Sequence, residues 1–101
     1  MKNILVIDDE IDICNNIKAI LTDEGFNVQV AHNSDDAFNY INKHSYNLII
    51  LDVWLDNSKY DGLEILKQIR KNLTIPIIII SGHGNIEMAV SAIKDGANEA
   101  I

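Results

Sequence analysis

Two apolar runs that stop abruptly at carboxylates constrain this chain more than any other feature in it. Leu48, Ile49, Ile50 and Leu51 are continuous and end at Asp52. Ile4–Ile7 do the same and end at Asp8, Asp9 and Glu10. Such runs suit strands buried on both faces, as in a parallel sheet covered by helices. One acid ending one strand is as readily a helix cap or a turn residue. Two strands ending this way weigh against that, because in an open parallel α/β sheet the ligand crevice lies off the carboxyl ends of the strands. The acids of the two runs are therefore expected to meet in one crevice.

The rest of the chain supplies the other parts of such a sheet. After the first strand, Asn3–Asp8, a helix is expected from about Ile11 to Glu24, with Ile13, Ile17, Ile20 and Leu21 facing inward. Gly25 stops it as a C-terminal cap. Asn27–Ala31 alternates apolar and polar residues, which marks a less buried strand at an edge. Ser34 is expected to cap a second helix whose first turn holds Asp35 and Asp36, with Ala37, Tyr40 and Ile41 inward. The third strand, Asn47–Asp52, leads through a loop over Val53–Asp61 to a helix at about Gly62–Asn72, buried through Leu63, Ile65, Leu66 and Ile69. A fourth strand is expected at Pro76–Ser81, and a fourth helix from about Asn85 to Asp95. Regular alternation of this kind gives a parallel sheet with helices on both faces. The fourth strand is as apolar as the first, yet only Gly96–Ile101 follows its helix, so it reads as an uncovered edge.

Length and composition bound the function. The 101 residues suit one domain, 1–101, with one core. Hydrophobic residues make up 48% and charged residues 23%, a globular balance rather than a disordered one. The net charge of −7 excludes electrostatic wrapping of nucleic acid or of an anionic membrane, and suits a cation or a basic partner. Cys14, alone, excludes an internal disulfide and reads as a buried structural thiol. No apolar run approaches the ~18 residues of a membrane span, and the first ten residues are too short and acidic for a signal peptide. A cytoplasmic location is expected.

Asp8, Asp9, Asp52 and Ser81 are the groups expected to converge. Gathered carboxylates repel one another and raise each other's pKa unless a cation joins them. Hard oxygen ligands in this number suit Mg²⁺ or Mn²⁺, with water in the remaining positions. A strand-end carboxylate beside such an ion is also a plausible nucleophile toward phosphorus, forming an acyl phosphate. Ser81 could donate to a phosphoryl oxygen; leaving a strand through a small polar residue is an equally good account of it. His83 reads as a solvated loop histidine, and His32 and His44 fall in connecting segments without a motif.

These residues resemble a known family. The pair in LVIDDE, the acid in LIILD, Asp61-Gly62, Ser81-Gly82 and Gly96-Ala97 occur in the order seen in receiver domains of two-component response regulators. Asp52–Leu55 and Ser81–Ala97 look most like receivers of NtrC-type transcription factors, the NtrX branch in particular. The resemblance implies a flavodoxin-like doubly wound sheet, here of order 2-1-3-4 with the fifth strand and its helix missing. It implies that Asp52 takes a phosphoryl group from a sensor histidine kinase. Asp9, Asp52 and the backbone carbonyl of Trp54 would bind Mg²⁺ (or Mn²⁺), Asp8 would hold a metal-bound water, and Ser81 would be the switch hydroxyl. No catalytic residue beyond these follows: the domain would be a switch, with at most self-catalysed phosphotransfer and dephosphorylation. It would serve an output domain in a longer parent protein, controlling transcription without itself binding nucleic acid or membrane.

The sequence departs from the family's pattern in three places. The loop from Asp52 to Asp61 is long and lacks the common proline, as in NtrX-like receivers. Ala100 stands where the switch aromatic is usual. The family's lysine at the end of strand five has no counterpart in the 101 residues. That last departure favours a second reading, a receiver-like interaction module that is never phosphorylated; the complete acidic set opposes it. A haloacid-dehalogenase-type phosphatase needs an acid two positions after its nucleophile, where Trp54 stands. A flavin site would need a phosphate loop where Asp8-Asp9-Glu10 would repel one. With the fourth strand left open, the chain is expected either to fold poorly or to self-associate as a homodimer through its strand-four side.

Overall fold

The structure, a computed structural model, describes residues 2–53, 62–80 and 94–101. In chain order these form β1 (Asn3–Ile7), α1 (Ile11–Asp23), β2 (Asn27–Ala31), α2 (Ser34–Lys43), β3 (Leu48–Asp52), α3 (Gly62–Arg70), β4 (Ile77–Ile80) and β5 (Glu99–Ala100). The strands make one sheet of order β2-β1-β3-β4-β5, and each pair is parallel. Trp54, Ser81, His83 and the expected fourth helix as far as residue 93 lie outside the described residues.

Period-two alternation divides the strand side chains between two faces. Leu5, Ile7, Ile49, Leu51, Ile77 and Ile79 point to one and join Ala37 of α2 and Ile65, Leu66 and Ile69 of α3 in the larger core. Ile4, Val6 and Val28 point to the other and meet Cys14 of α1, with Ile17, Leu21, Leu48 and Ile50 around them. Both strands lie inside the sheet, but only β1 is buried on both faces; in β3, Ile49 and Leu51 are buried while Leu48 and Ile50, on the α1 side, are only partly covered. The alternating segment β2 is an edge strand, as its pattern implies.

Four expectations need correction or adjustment. The largest concerns the sheet edge. The fifth strand is present: Glu99 and Ala100 pair with Ile78 and Ile79, so the domain is not cut off before it and β4 has a neighbour on each side. Amides of Asn98 and Ile101 extend the ladder to the carbonyls of Ile77 and Ile79 at 2.9 and 2.8 Å. A two-residue strand carries no periodicity, and what docks it is remote. Arg70, at the end of α3, donates from Nε to the Gly96 carbonyl (2.7 Å), from one terminal nitrogen to the carbonyls of Leu73 (3.3 Å) and Ile75 (2.6 Å), and from the other to Asn98 Oδ1 (2.7 Å). Asn98 Oδ1 also accepts from the Ile77 amide at 2.8 Å.

The second correction is the face of α1. It meets the sheet through Cys14, Ile17 and Leu21. Ile13 and Ile20 sit one residue, roughly 100° of helix, off that stripe and are 38% and 64% exposed. Third, the cap of α2 is Asn33, one residue before Ser34. Its side-chain oxygen accepts from the Asp36 amide at 2.8 Å, and Ser34 begins the helix fully buried. Fourth, α3 is shorter at its C-terminus than expected. At the end of α1 the glycine reading holds: Gly25 takes φ of +94°, and the Phe26 amide closes back on the Leu21 carbonyl at 3.1 Å.

Candidate functional site

The sheet order reverses between β1 and β3: from β1 the chain winds outward to β2, and from β3 outward to β4 and β5. At such a point the connections leave in opposite directions and open a crevice outside the carboxyl ends of the strands. The acids stand there. Ile7 is level with Leu51, so Asp8, following β1, and Asp52, closing β3, are neighbours across the strand pair. Asp8, Asp9 and Asp52 each bring a carboxylate oxygen within 4.8 Å of the others. Of the groups expected to converge, Asp8, Asp9 and Asp52 do so; Ser81 lies outside the described residues.

Burial makes the cluster electrostatically demanding. Asp8 is 2% exposed and Asp52 8%. Burial pushes the Asp8 carboxyl up to about 6; the Glu10 amide, which donates to its Oδ1 at 2.9 Å, opposes the rise, and the neighbouring Asp52 and Asp9 add to it. A divalent cation among the three oxygens would remove that repulsion, and an all-carboxylate donor set suits a hard ion. The residues thus fit a metal such as Mg²⁺, and the cluster can hold one.

The backbone beneath the acids is fixed from several sides. The Asp8 amide donates to the Ala31 carbonyl at 3.0 Å, and the Val53 amide to the Ile80 carbonyl at 3.2 Å. Gly62, opening α3, lies against the end of β3. Its amide donates to the Val53 carbonyl at 3.2 Å, and a Cβ there would run into Val53 Cα and come within 2.5 Å of the Asp52 carbonyl oxygen. Only glycine lets the helix start this close to the site.

Two side chains without a sequence signal also belong to this neighbourhood. Cys14 Sγ donates to the Asp8 carbonyl at 3.2 Å, and His32 Nδ1 lies 3.0 Å from the same oxygen. Burial, and then the nearby carboxylates, push the Cys14 thiol up to about 12, so it stays protonated and able to donate. Cys14 is buried as expected, but it has a polar role as well. His32 carries no motif because its contact is made across 24 residues of sequence, and only the pairing of β1 with β2 brings it about.

A five-stranded parallel sheet of this order, with three acids gathered at its reversal point, defines a doubly wound α/β domain with an acidic cluster able to hold a cation. The sequence matches the response regulator receiver domain over residues 4–101, and the chain belongs to that family. It is 52% identical over 100 residues to a putative NtrX-like response regulator of Rickettsia bellii, covering 98% of this chain and 21% of that protein. The receiver domain of NtrX from Brucella abortus superposes with a TM-score of 0.92 at 46% identity, over 97% of this chain and 82% of that one. A response regulator from Burkholderia pseudomallei, crystallised with a phosphorylated aspartic acid, a calcium ion and citrate, superposes with a TM-score of 0.90 at 31% identity, over 99% of this chain and 58% of that one. The chain therefore spans about a fifth of the length of the curated relative it matches. Receiver domains are signalling switches, typically served by a histidine kinase and joined to an output domain. No helix among the described residues is long and apolar enough to cross a membrane.

Proposed function

We propose that this domain is a phosphorylation switch in which Asp52 accepts a phosphoryl group from a sensor histidine kinase. The observation that carries the reading is the meeting of Asp8, Asp9 and Asp52 within 4.8 Å at the reversal point of the sheet. A carboxylate oxygen of Asp52 attacks phosphorus, the bond from phosphorus to the donor's imidazole nitrogen breaks, and that nitrogen leaves with the electron pair and takes up a proton. Asp9 and Asp52, with the Trp54 carbonyl, are the direct ligands for Mg²⁺ or Mn²⁺, and Asp8 holds a bound water. The ion, when bound, offsets the charge of the carboxylate and of the incoming phosphoryl group. Ser81 donates to a phosphoryl oxygen and carries the change to the loop that follows β4. The Burkholderia relative, with its phosphorylated aspartic acid and calcium ion, supports both assignments. The only covalent chemistry assigned to the domain is this transfer and its hydrolytic reversal. The resemblance of Asp52–Leu55 and Ser81–Ala97 to NtrX-type receivers assigns it a transcriptional output domain in a longer protein.

The test uses acetyl phosphate and Mg²⁺ with mass spectrometry. In the full-length protein one phosphoryl group is expected on Asp52, absent in Asp52→Asn and absent when the cation is chelated. Labelling that persists in Asp52→Asn would move the nucleophile elsewhere. A full-length protein that binds Mg²⁺ yet never labels, with acetyl phosphate or with a kinase, would instead be a constitutive interaction module.

A further inference from the structure

The carbonyl of Asp8 receives two side chains at once. His32 Nδ1 is 3.0 Å from its oxygen and Cys14 Sγ 3.2 Å, while the two side-chain atoms are 3.7 Å apart. A carbonyl oxygen only accepts, so the imidazole carries its proton on Nδ1, and both lone pairs of the oxygen are engaged. On its other side, the amide of Asp8 is held by the Ala31 carbonyl at 3.0 Å. Asp8 is therefore gripped by consecutive residues at the end of β2, Ala31 through its backbone and His32 through its ring.

The consequence reaches the next residue. The Asp8 carbonyl and the Asp9 amide share one rigid peptide plane. Pinning the oxygen fixes the orientation of that plane, and with it the direction in which the chain enters Asp9. A simple turn after β1 would leave the plane free to rotate about the Asp8 ψ and Asp9 φ bonds. His32 is only partly buried and belongs to neither core cluster, so filling the interior does not account for it.

We propose that His32 is a positioning residue for the cation site: its ring orients the Asp8–Asp9 peptide so that the Asp9 carboxylate meets Asp8 and Asp52. The role rests on the reading of these three acids as a cation pocket. His32 touches neither the ion nor the phosphoryl group; it acts by holding the backbone that carries a ligand, as outer-shell hydrogen bonds do in metal sites.

The test is a Mg²⁺ titration of the chain and its variants, followed by the fluorescence of its single tryptophan, Trp54, two positions after Asp52. His32→Leu is expected to weaken Mg²⁺ binding by about 10-fold, the usual scale for loss of an outer-shell partner, with the metal-free melting temperature unchanged. His32→Asn is expected to bind within about two-fold of the parent, because its amide nitrogen reaches the place of Nδ1. If His32→Leu melts too low to titrate, His32→Gln replaces it. Its amide falls near the Nε2 position, so weak binding is expected. Parent-like affinity in His32→Leu or His32→Gln, or the same loss in His32→Asn as in His32→Leu, would overturn the positioning role. A parent chain that does not respond to Mg²⁺ at all would overturn the pocket itself, and the role of His32 with it.

Discussion

Asp8 is the residue whose surroundings conflict most with its chemistry. It is a carboxyl at 2% exposure beside two other acids, and its pKa stands at about 6 against an ordinary 3.8. A raised carboxyl favours the folded state while protonated. Its contribution is complete below pH 3.8 and is lost as pH rises through 6, by at most about 3 kcal/mol. The metal-free chain should therefore lose stability from this group across that window, seen as a falling melting temperature. Asp8→Asn should flatten the fall and melt higher than the parent at pH 7 without metal. A parent with no such slope would show that Asp8 ionises without penalty. Cys14 gives a second test at this scale. Fully buried, with a thiol pushed to about 12, it should resist alkylation at pH 8 until the chain is unfolded. Rapid labelling of the native chain would contradict the grip on the Asp8 carbonyl.

At the scale of elements, two contacts hold the working edge of the sheet in place. One is the seat of α3 on β3. Gly62→Ala would force a Cβ into Val53 and toward the Asp52 carbonyl. The expected cost is about 1–3 kcal/mol, with weaker Mg²⁺ binding because the end of β3 must shift. Melting and cation titration of the same variant would show both effects or refute the contact. The other is Arg70, which joins the end of α3 to the segment leading into β5 through Gly96 and Asn98. A lysine has one point charge where the guanidinium has a planar fork, so Arg70→Lys cannot reproduce the set. Hydrogen exchange at the amides of Asn98 and Ile101 should accelerate in Arg70→Lys, while exchange in β1 stays unchanged. Equal protection in both chains would mean that β5 docks through its ladder alone.

At the largest scale, the described residues cover the two faces of the sheet unequally. Beneath α2 and α3 the inward side chains of β3 and β4 are fully buried. On the α1 side Leu48 and Ile50 are only partly buried, and Ile13 and Ile20 remain exposed. The reason to expect association is thus this apolar face rather than an open β4 edge. Light scattering over a dilution series should show self-association that Ile13→Lys with Ile20→Lys reduces. A monomer at all concentrations would show that the face is tolerated in water.

By itself the sequence determined the strands of the interior, their parallel pairing, the edge position of β2 and the meeting of Asp8, Asp9 and Asp52. The interior strands and the meeting of the acids follow from apolar runs that stop at carboxylates, the edge position of β2 from its apolar–polar alternation, and the parallel pairing from the alternation of strands with helices. The cap glycine at Gly25 and the buried stripe of α3 were legible for similar local reasons. Only the tertiary structure decided the rest. Ile13 and Ile20 look like core residues on a helical wheel, but the angle at which α1 meets the sheet selects Cys14, Ile17 and Leu21 instead. β5 is too short to have a period, and it forms because Arg70 and the free side of β4 hold it. His32 has no local signal, since its role arises where β2 lies beside β1. Local patterning records which face of an element is buried; it does not record which remote backbone group a polar side chain will meet once the elements are packed.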